Sequence, residues 1–151
     1  MRRFRIGAAC VLLVSLSGCT MPLFKHKIAL DELHFDVGRQ ANGSTPFAVE
    51  LVAVDDDTLL ATLLTLTAAQ WFDPQANWKR DYPTTLHNWY YEVTPGQHLC
   101  FQPTAFSGRH AQALLLFANY KGPGAYRLRL DSYSRVRVAF AEYEIEVVAQ
   151  P

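Results

Sequence analysis

The sequence predicts a mainly β fold, a sandwich of about seven to eight short strands with one short helical insertion after the second strand. Three observations support this prediction: short apolar runs alternate with polar residues, turn-forming residues separate the runs, and one leucine-rich stretch has helical periodicity. The chain has 151 residues, of which 50% are hydrophobic and 19% are charged. This composition provides enough apolar surface for the core of one domain and argues against disorder.

The first eighteen residues have the composition of a secretory signal. A start with three arginines is followed by an apolar run from residue 6 to residue 16 and by the small pair Ser17-Gly18. The run is too short to cross a bilayer, which takes about 20 apolar residues. Leu16-Ser17-Gly18-Cys19 matches the bacterial lipobox, which predicts lipidation of Cys19. The alternatives are an ordinary signal peptide with a chance cysteine and a buried N-terminal helix.

Lipidation at Cys19 divides the chain and predicts its location. Residues 1–18 are then the signal peptide, residues 19–27 a lipidated tether and residues 28–149 the folded domain. Two or more acyl chains anchor a protein stably, since each buried methylene contributes about 0.8 kcal/mol. Thr20 is not the aspartate that commonly retains lipoproteins at the inner membrane. By analogy with other diderm lipoproteins, this favours the periplasmic face of the outer membrane.

Removal of the signal also changes the charge and the cysteine content. The whole chain is neutral, with 14 basic and 14 acidic residues, and loss of the three arginines leaves a formal charge of −3. Neither balance provides the basic surface that nucleic-acid binding needs. Cys10 leaves with the signal and Cys19 carries lipid, so Cys100 alone remains. No internal disulfide is therefore expected, even in the oxidising periplasm.

The first two strands are predicted over residues 28–37 and 47–54. In the first, the apolar positions change phase near Asp31-Glu32, which predicts a bulge. The second contains only one polar residue in eight, Glu50, which predicts burial on both faces, as within a sandwich. Residues 38–46 between the strands are rich in turn formers and are expected to form a loop.

The helical insertion is predicted from about residue 56 to residue 83. The aspartates of residues 55–57 suit a helix N-terminus, and the leucines that follow are close to helical spacing. Thr67 to Gln70 resembles a capping box, which predicts a second short helix carrying Trp71 and Phe72. Calcium binding by the aspartates is the alternative, but the run lacks the ligand pattern of an EF-hand loop.

The remaining strands are predicted in the second half of the chain, from turn signals and from alternation. Their predicted ranges are 86–93, 97–102, 113–120 and 125–130, followed by two alternating segments. In the first of these segments the alternating apolar residues are Val136, Val138 and Phe140. In the second they are Tyr143, Ile145 and Val147.

The sequence contains no recognisable catalytic motif. It has no HExxH motif, no GxSxG elbow and no phosphate-binding glycine loop. His98 and Cys100 share one face of a strand and could be two metal ligands, but a chance pairing on the strand surface is the favoured interpretation. We therefore predict no metal, no cofactor apart from the covalent lipid on Cys19, and no enzymatic activity. A cell-wall hydrolase is the alternative from the enzyme class.

Several short motifs occur in a defined order along the chain. They are the lipobox, Asn42 with Pro46, the segment Ala68-Ala69-Gln70-Trp71-Phe72-Asp73, the turn Val93-Thr94-Pro95-Gly96, and Leu115, Phe117, Ala118, Asn119 and Tyr120 in the late apolar strand. In this order they resemble the TssJ (VasD-like) lipoproteins of the bacterial type VI secretion system. The resemblance covers nearly the whole chain.

The resemblance implies a transthyretin-like sandwich in an outer-membrane lipoprotein that binds the periplasmic domain of the inner-membrane protein TssM. In that family the loop between the first two strands contacts TssM, and by position this loop is 38–46. Its candidate contact residues are Gln40, Asn42, Ser44 and Thr45; a loop that only forms a turn is the other interpretation. The alternative function is a pilotin-like, chaperone-like or secretion-associated accessory lipoprotein with a different partner.

Overall fold

The computed structural model describes residues 26–102 and 105–149. The predicted signal peptide, the lipidation site Cys19 and residues 20–25 of the predicted tether lie outside these ranges. The described residues form ten strands and four short helices. Eight of the strands make two four-stranded sheets, which confirms the predicted mainly β sandwich. No helix among the described residues is long and apolar enough to cross a membrane.

The first sheet contains four strands with alternating burial. They are β2 (Glu32–Val37), β5 (His98–Phe101), β9 (Arg135–Phe140) and β10 (Ile145–Ala149). The order across the sheet is β10-β9-β2-β5, with β2 parallel to β9 and the other neighbours antiparallel. The alternate apolar residues of β2 and β9 are buried, as their period-two pattern predicts.

The second sheet contains β3 (Phe47–Val54), β4 (Leu86–Val93), β7 (Ala113–Ala118) and β8 (Arg127–Arg129). Its order is β4-β3-β7-β8, and all neighbours are antiparallel. The predicted bounds of β3 and β4 are confirmed. β8 is shorter than predicted and begins after Tyr126, whose φ of 41° is left-handed and does not suit a strand.

The prediction of one bulged strand over residues 28–37 is wrong. β1 (His26–Lys27) pairs with β6 (His110–Ala111) in a separate two-stranded sheet, and β2 begins only at Glu32. Ile28 and Leu30, between β1 and β2, are buried. The phase change in the apolar pattern thus marks the passage of the chain from one sheet to another. A bulge produces a similar shift in periodicity, so the pattern alone does not separate the two cases.

Three helices form within the predicted insertion: α2 (Asp57–Leu63), α3 (Ala68–Trp71) and α4 (Trp78–Asp81). Asp56 caps α2 by accepting a hydrogen bond from the Leu59 N–H at 2.7 Å. Thr67 and Gln70 form the predicted capping box of α3. The aspartate run therefore begins a helix, because its carboxylates accept hydrogen bonds from N–H groups that lack helical partners.

The insertion covers the outer face of the second sheet. Trp71 of α3 stacks on Phe117 of β7 with ring centroids 4.9 Å apart. Glu50 of β3, only 2% exposed, accepts a hydrogen bond from Trp71 Nε1 at 2.7 Å and lies 2.6 Å from the Nζ of Lys79. The predicted burial of both faces of β3 is confirmed, with the other sheet covering one face and the helices the other.

Candidate partner-binding surface

The loop of residues 38–46 lies at the end of the sandwich where β2 ends and β3 begins. Strand register brings residues 94–97, 119–126 and 141–144 to the same end. The Gly38 N–H donates to the Phe140 carbonyl and the Gly96 N–H to the Val37 carbonyl, each at 2.9 Å. We call these four segments together the loop surface.

A left-handed turn shapes the loop of residues 38–46. It contains the single-turn helix α1 (Ala41–Ser44), in which Asn42, Gly43 and Ser44 have φ values of 50°, 61° and 57°. Glycine adopts this conformation without a steric penalty, and asparagine tolerates it better than most residues. The pair Asn42-Gly43 therefore forms the sharp turn that the sequence predicts.

Asn42 holds the loop in place and does not present its side chain to solvent. It is 5% exposed, and its Oδ1 accepts a hydrogen bond from the Lys121 N–H at 2.8 Å. Its Nδ2 donates to the Thr45 carbonyl at 3.3 Å. These bonds tie residues 38–46 to residues 119–126, so the buried amide acts within the fold.

The other three candidate contact residues lie nearer to solvent. Gln40 and Ser44 are exposed and Thr45 is half-buried. Thr45 Oγ1 accepts a hydrogen bond from Lys121 Nζ at 3.2 Å. The structure therefore brings these three side chains to one surface and keeps that of Asn42 beneath it. Contact of these residues with a partner stays a prediction.

Tyr143 is an exposed aromatic residue, whereas its place in the apolar alternation predicts a position in the last strand. That prediction is wrong, because residues 141–144 form the turn between β9 and β10 and Tyr143 is 71% exposed. The Ala141 N–H donates to the Glu144 carbonyl at 2.8 Å and closes the turn. Two antiparallel strands in direct succession need a turn between them. The need for a turn between the two last alternating segments could have identified Tyr143 as a surface residue.

Packing under the loop surface fixes its shape. The Tyr120 hydroxyl donates to the Ala141 carbonyl at 2.8 Å, and its ring lies edge-on to Phe47 at a centroid distance of 4.7 Å. Burial raises the pKa of Tyr120, with a smaller contribution from Tyr126. At Gly38 a Cβ would lie 3.0 Å from the Phe140 carbonyl oxygen, so the close approach of the two segments favours glycine.

The loop surface contains open depressions and both signs of charge. One depression of about 450 Å³ is lined in part by Arg39, Gln40 and Glu142. Another, of about 260 Å³, is lined in part by Lys121 and Tyr143. The hydrogen bond with Glu142 raises the pKa of the Tyr143 hydroxyl. An exposed aromatic ringed by polar and charged side chains is a combination found in protein–protein interfaces.

His98 and Cys100 lie on the outer face of the first sheet, but the structure pairs each with a different residue of β2. His98 Nδ1 lies 2.8 Å from Asp36 Oδ1, whereas Cys100 Sγ lies 3.8 Å from His34 Nε2. The same nitrogen of His34 lies 2.6 Å from Glu32 Oε1. A nucleophile–base–acid relay uses both ring nitrogens of its histidine, so this arrangement is not a catalytic triad.

Comparison with known proteins identifies solved structures that have a similar fold to this chain. No protein-family model and no curated protein matches the sequence. The T6SS lipoprotein TssJ1 from Pseudomonas aeruginosa is similar in structure, with a TM-score of 0.62 and 15% identity over 80% of this chain and 95% of that chain. Serratia marcescens Lip, a membrane-bound component of the type VI secretion system, has a TM-score of 0.55 and 17% identity over 80% and 96%.

A chain from the structure of the T6SS protein TssM C-terminal domain from EAEC also matches. Its TM-score is 0.57, with 10% identity over 78% of this chain and 98% of that chain. At these identities the likeness concerns the fold. The predicted resemblance to TssJ is therefore confirmed at the level of the fold: this chain has the sandwich architecture of TssJ1 and Lip.

Proposed function

We propose that this chain is a non-enzymatic lipoprotein of a type VI secretion system. Lipid on Cys19 anchors it to the periplasmic face of the outer membrane, and the loop surface binds the periplasmic domain of TssM. It thereby fixes the trans-envelope complex to the outer membrane. The fold that it shares with TssJ1 and Lip supports the system, and the lipobox supports the anchor.

The main structural support for this proposal is that the start of the described chain and the loop surface lie at opposite ends of the sandwich. β1 pairs with β6, and the Gln112 N–H that follows β6 donates to the carbonyl of Val54, the last residue of β3. The loop surface lies at the other end of β3, before Phe47. β3 has eight residues, which at about 3.3 Å each places the two ends roughly 25 Å apart. A lipid on Cys19 would hold one end near the membrane and leave the loop surface facing the periplasm.

The secondary structure and the side-chain geometry also bear on the alternative functions, a pilotin and a cell-wall hydrolase. The chain is built mainly from strands, which counts against a pilotin made of helical repeats. Glu32 and Cys100 both contact the same nitrogen of His34, Nε2. A nucleophile–base–acid relay for hydrolysis needs both ring nitrogens of the histidine. A structural, partner-binding role therefore agrees with more of the observed features than a cell-wall hydrolase does.

Binding to the periplasmic domain of TssM tests the proposal directly. The purified lipoprotein in detergent is titrated with that domain by isothermal titration calorimetry. We expect Tyr143→Ala to weaken binding about 30-fold or more, because truncation of an aromatic anchor in an interface costs roughly 2 kcal/mol or more. Gln40→Ala is expected to have a smaller effect in the same direction.

Matched substitutions outside the loop surface provide the controls. Tyr90, which is 59% exposed on β4, is the control for Tyr143, and the exposed Gln75 is the control for Gln40. Tyr90→Ala and Gln75→Ala should leave the affinity unchanged. Absence of wild-type binding at roughly tens of micromolar would exclude TssM as the partner. An equal loss with Tyr90→Ala would place the interface elsewhere.

A further inference from the structure

Three donor atoms converge on the outer face of the first sheet. His34 of β2 lies opposite Cys100 of β5 in the strand register, and Glu32 precedes His34 by two residues and so shares its face. A carboxylate oxygen, the His34 Nε2 and the Cys100 Sγ all lie within 4.8 Å of one another. We propose that Glu32, His34 and Cys100 bind a zinc ion.

The separations of the donor atoms fit a tetrahedral zinc ion with little movement. Zn–S and Zn–N bonds of about 2.3 Å and 2.0 Å place the sulfur and nitrogen about 3.6 Å apart. The observed distance from Cys100 Sγ to His34 Nε2 is 3.8 Å. The Glu32 oxygen lies 2.6 Å from the same nitrogen, so it moves outward by roughly 0.7 Å to reach a tetrahedral position. The side chains of His34 and Glu32 are 26% and 37% exposed, which leaves room for that shift.

A metal ion would replace the hydrogen bonds at the His34 nitrogen by coordination. In a neutral imidazole, Nε2 either donates or accepts a hydrogen bond. When Nε2 carries the proton it donates to the Glu32 carboxylate, and the Cys100 Sγ at 3.8 Å is then only a weak acceptor. A cation between the three atoms takes a lone pair from each of them, so a single centre satisfies all three groups.

The charges and the donor types favour zinc among the common metals. A thiolate and a carboxylate together offset the charge of a divalent cation. Arg137 lies opposite His34 on β9 and lines the same depression. Its positive charge works against a bound cation, and the two anionic ligands offset that repulsion. A set of one sulfur, one nitrogen and one oxygen suits Zn²⁺, whereas Ca²⁺ and Mg²⁺ take oxygen ligands and Cu(I) prefers sulfur. Water would take the fourth position, so this site would differ from the usual structural zinc site, which has four protein ligands.

The site would connect an edge strand to the interior of its sheet. β5 is at the edge of the first sheet, and β2 is its only neighbour there among the described strands. Zinc would bind Glu32 and His34 on β2 and Cys100 on β5. An ion that binds the folded chain and not the unfolded one raises the free energy of unfolding in proportion to the logarithm of its concentration. Zinc binding should therefore raise the thermal midpoint.

The test uses the purified lipoprotein in detergent, reduced and without a polyhistidine tag. Zn²⁺ affinity is measured by competition with a chromogenic chelator, and Co²⁺ is used as a spectroscopic probe. We expect one Zn²⁺ per chain, a thiolate-to-Co²⁺ charge-transfer band and a higher thermal midpoint with Zn²⁺. Cys100→Ser, His34→Gln and Glu32→Gln should each weaken Zn²⁺ binding at least about tenfold, since even loss of an outer-sphere partner costs about 10- to 100-fold.

His98→Gln is the matched control, because His98 shares the strand and face of Cys100 but pairs with Asp36. It should leave the Zn²⁺ affinity and the Co²⁺ band unchanged. Far-ultraviolet circular dichroism confirms that each variant is folded, and the exposed position of Cys100 makes its variant the least disruptive. A wild type that binds Zn²⁺ no more tightly than Cys100→Ser overturns the proposal. So does a loss with His98→Gln that equals the loss with the three ligand variants.

Discussion

The backbone conformation at Asn42 and the burial of its side chain both favour asparagine at this position. The residue is left-handed, and its amide oxygen accepts a partly buried hydrogen bond from the Lys121 N–H. Replacement by alanine leaves that partly buried N–H without its acceptor and places a less tolerant residue at a positive φ. Asn42→Ala should therefore lower the free energy of unfolding by about 2 kcal/mol, measured by urea denaturation monitored by tryptophan fluorescence.

Gln40→Ala is the control for this substitution, since Gln40 is exposed on the same loop. It should change the free energy of unfolding by no more than about 0.5 kcal/mol. Equal effects of the two substitutions would contradict the structural role of Asn42.

For individual residues of the site, the sequence predicts backbone turns better than side-chain contacts. The turn at Asn42-Gly43 could be predicted because left-handed backbone selects those residue types. The burial of Asn42 could not, because its partner Lys121 is 79 residues away along the chain. The meeting of His34 with Cys100 was hidden for the same reason, since it depends on the pairing of β2 with β5.

At the scale of elements, local signals predict helices well and their packing poorly. The caps at Asp56 and Thr67 lie within the segments that they begin, so sequence alone revealed them. Which sheet the insertion would cover depends on long-range contacts, such as those of Trp71 with Glu50 and Phe117. The apolar run of β3 predicted two covered faces but not that helices would cover one of them.

Trp71 is the side chain that attaches the insertion to the sheet. It is buried between Phe117 and Trp78, and its indole N–H binds the carboxylate of Glu50. Trp71→Ala should lower the free energy of unfolding by about 3–5 kcal/mol, the usual cost of emptying a buried aromatic site. It should also speed hydrogen exchange at the amides of β3.

Trp78→Ala provides the comparison, because Trp78 is half-buried at the outer side of the same stack. Its cost should be clearly smaller than that of Trp71→Ala in guanidinium denaturation. If the two variants lose equal stability, the attachment of the insertion does not depend mainly on Trp71.

At the scale of the whole molecule, topology sets the two ends of the sandwich apart. The sheets could be predicted as a class, but their strand order could not, since the parallel pairing of β2 with β9 joins segments about a hundred residues apart. This pairing brings the turn of residues 141–144, with Tyr143, beside residues 38–46. Pairing of β1 with β6 keeps the beginning of the described chain at the opposite end.

This separation predicts that anchoring and partner binding are independent functions. Cys19→Ser removes the predicted lipidation site, so the chain should remain unprocessed or move from the outer-membrane fraction to the soluble fraction. Its affinity for the periplasmic domain of TssM in solution should equal that of the wild type, because the loop surface lies roughly 25 Å from β1. Tyr143→Ala should show the reverse, with normal fractionation and weakened binding. A Cys19→Ser chain that still sediments with the outer membrane would refute the lipobox prediction, and one that no longer binds TssM would show that the anchored end belongs to the interface.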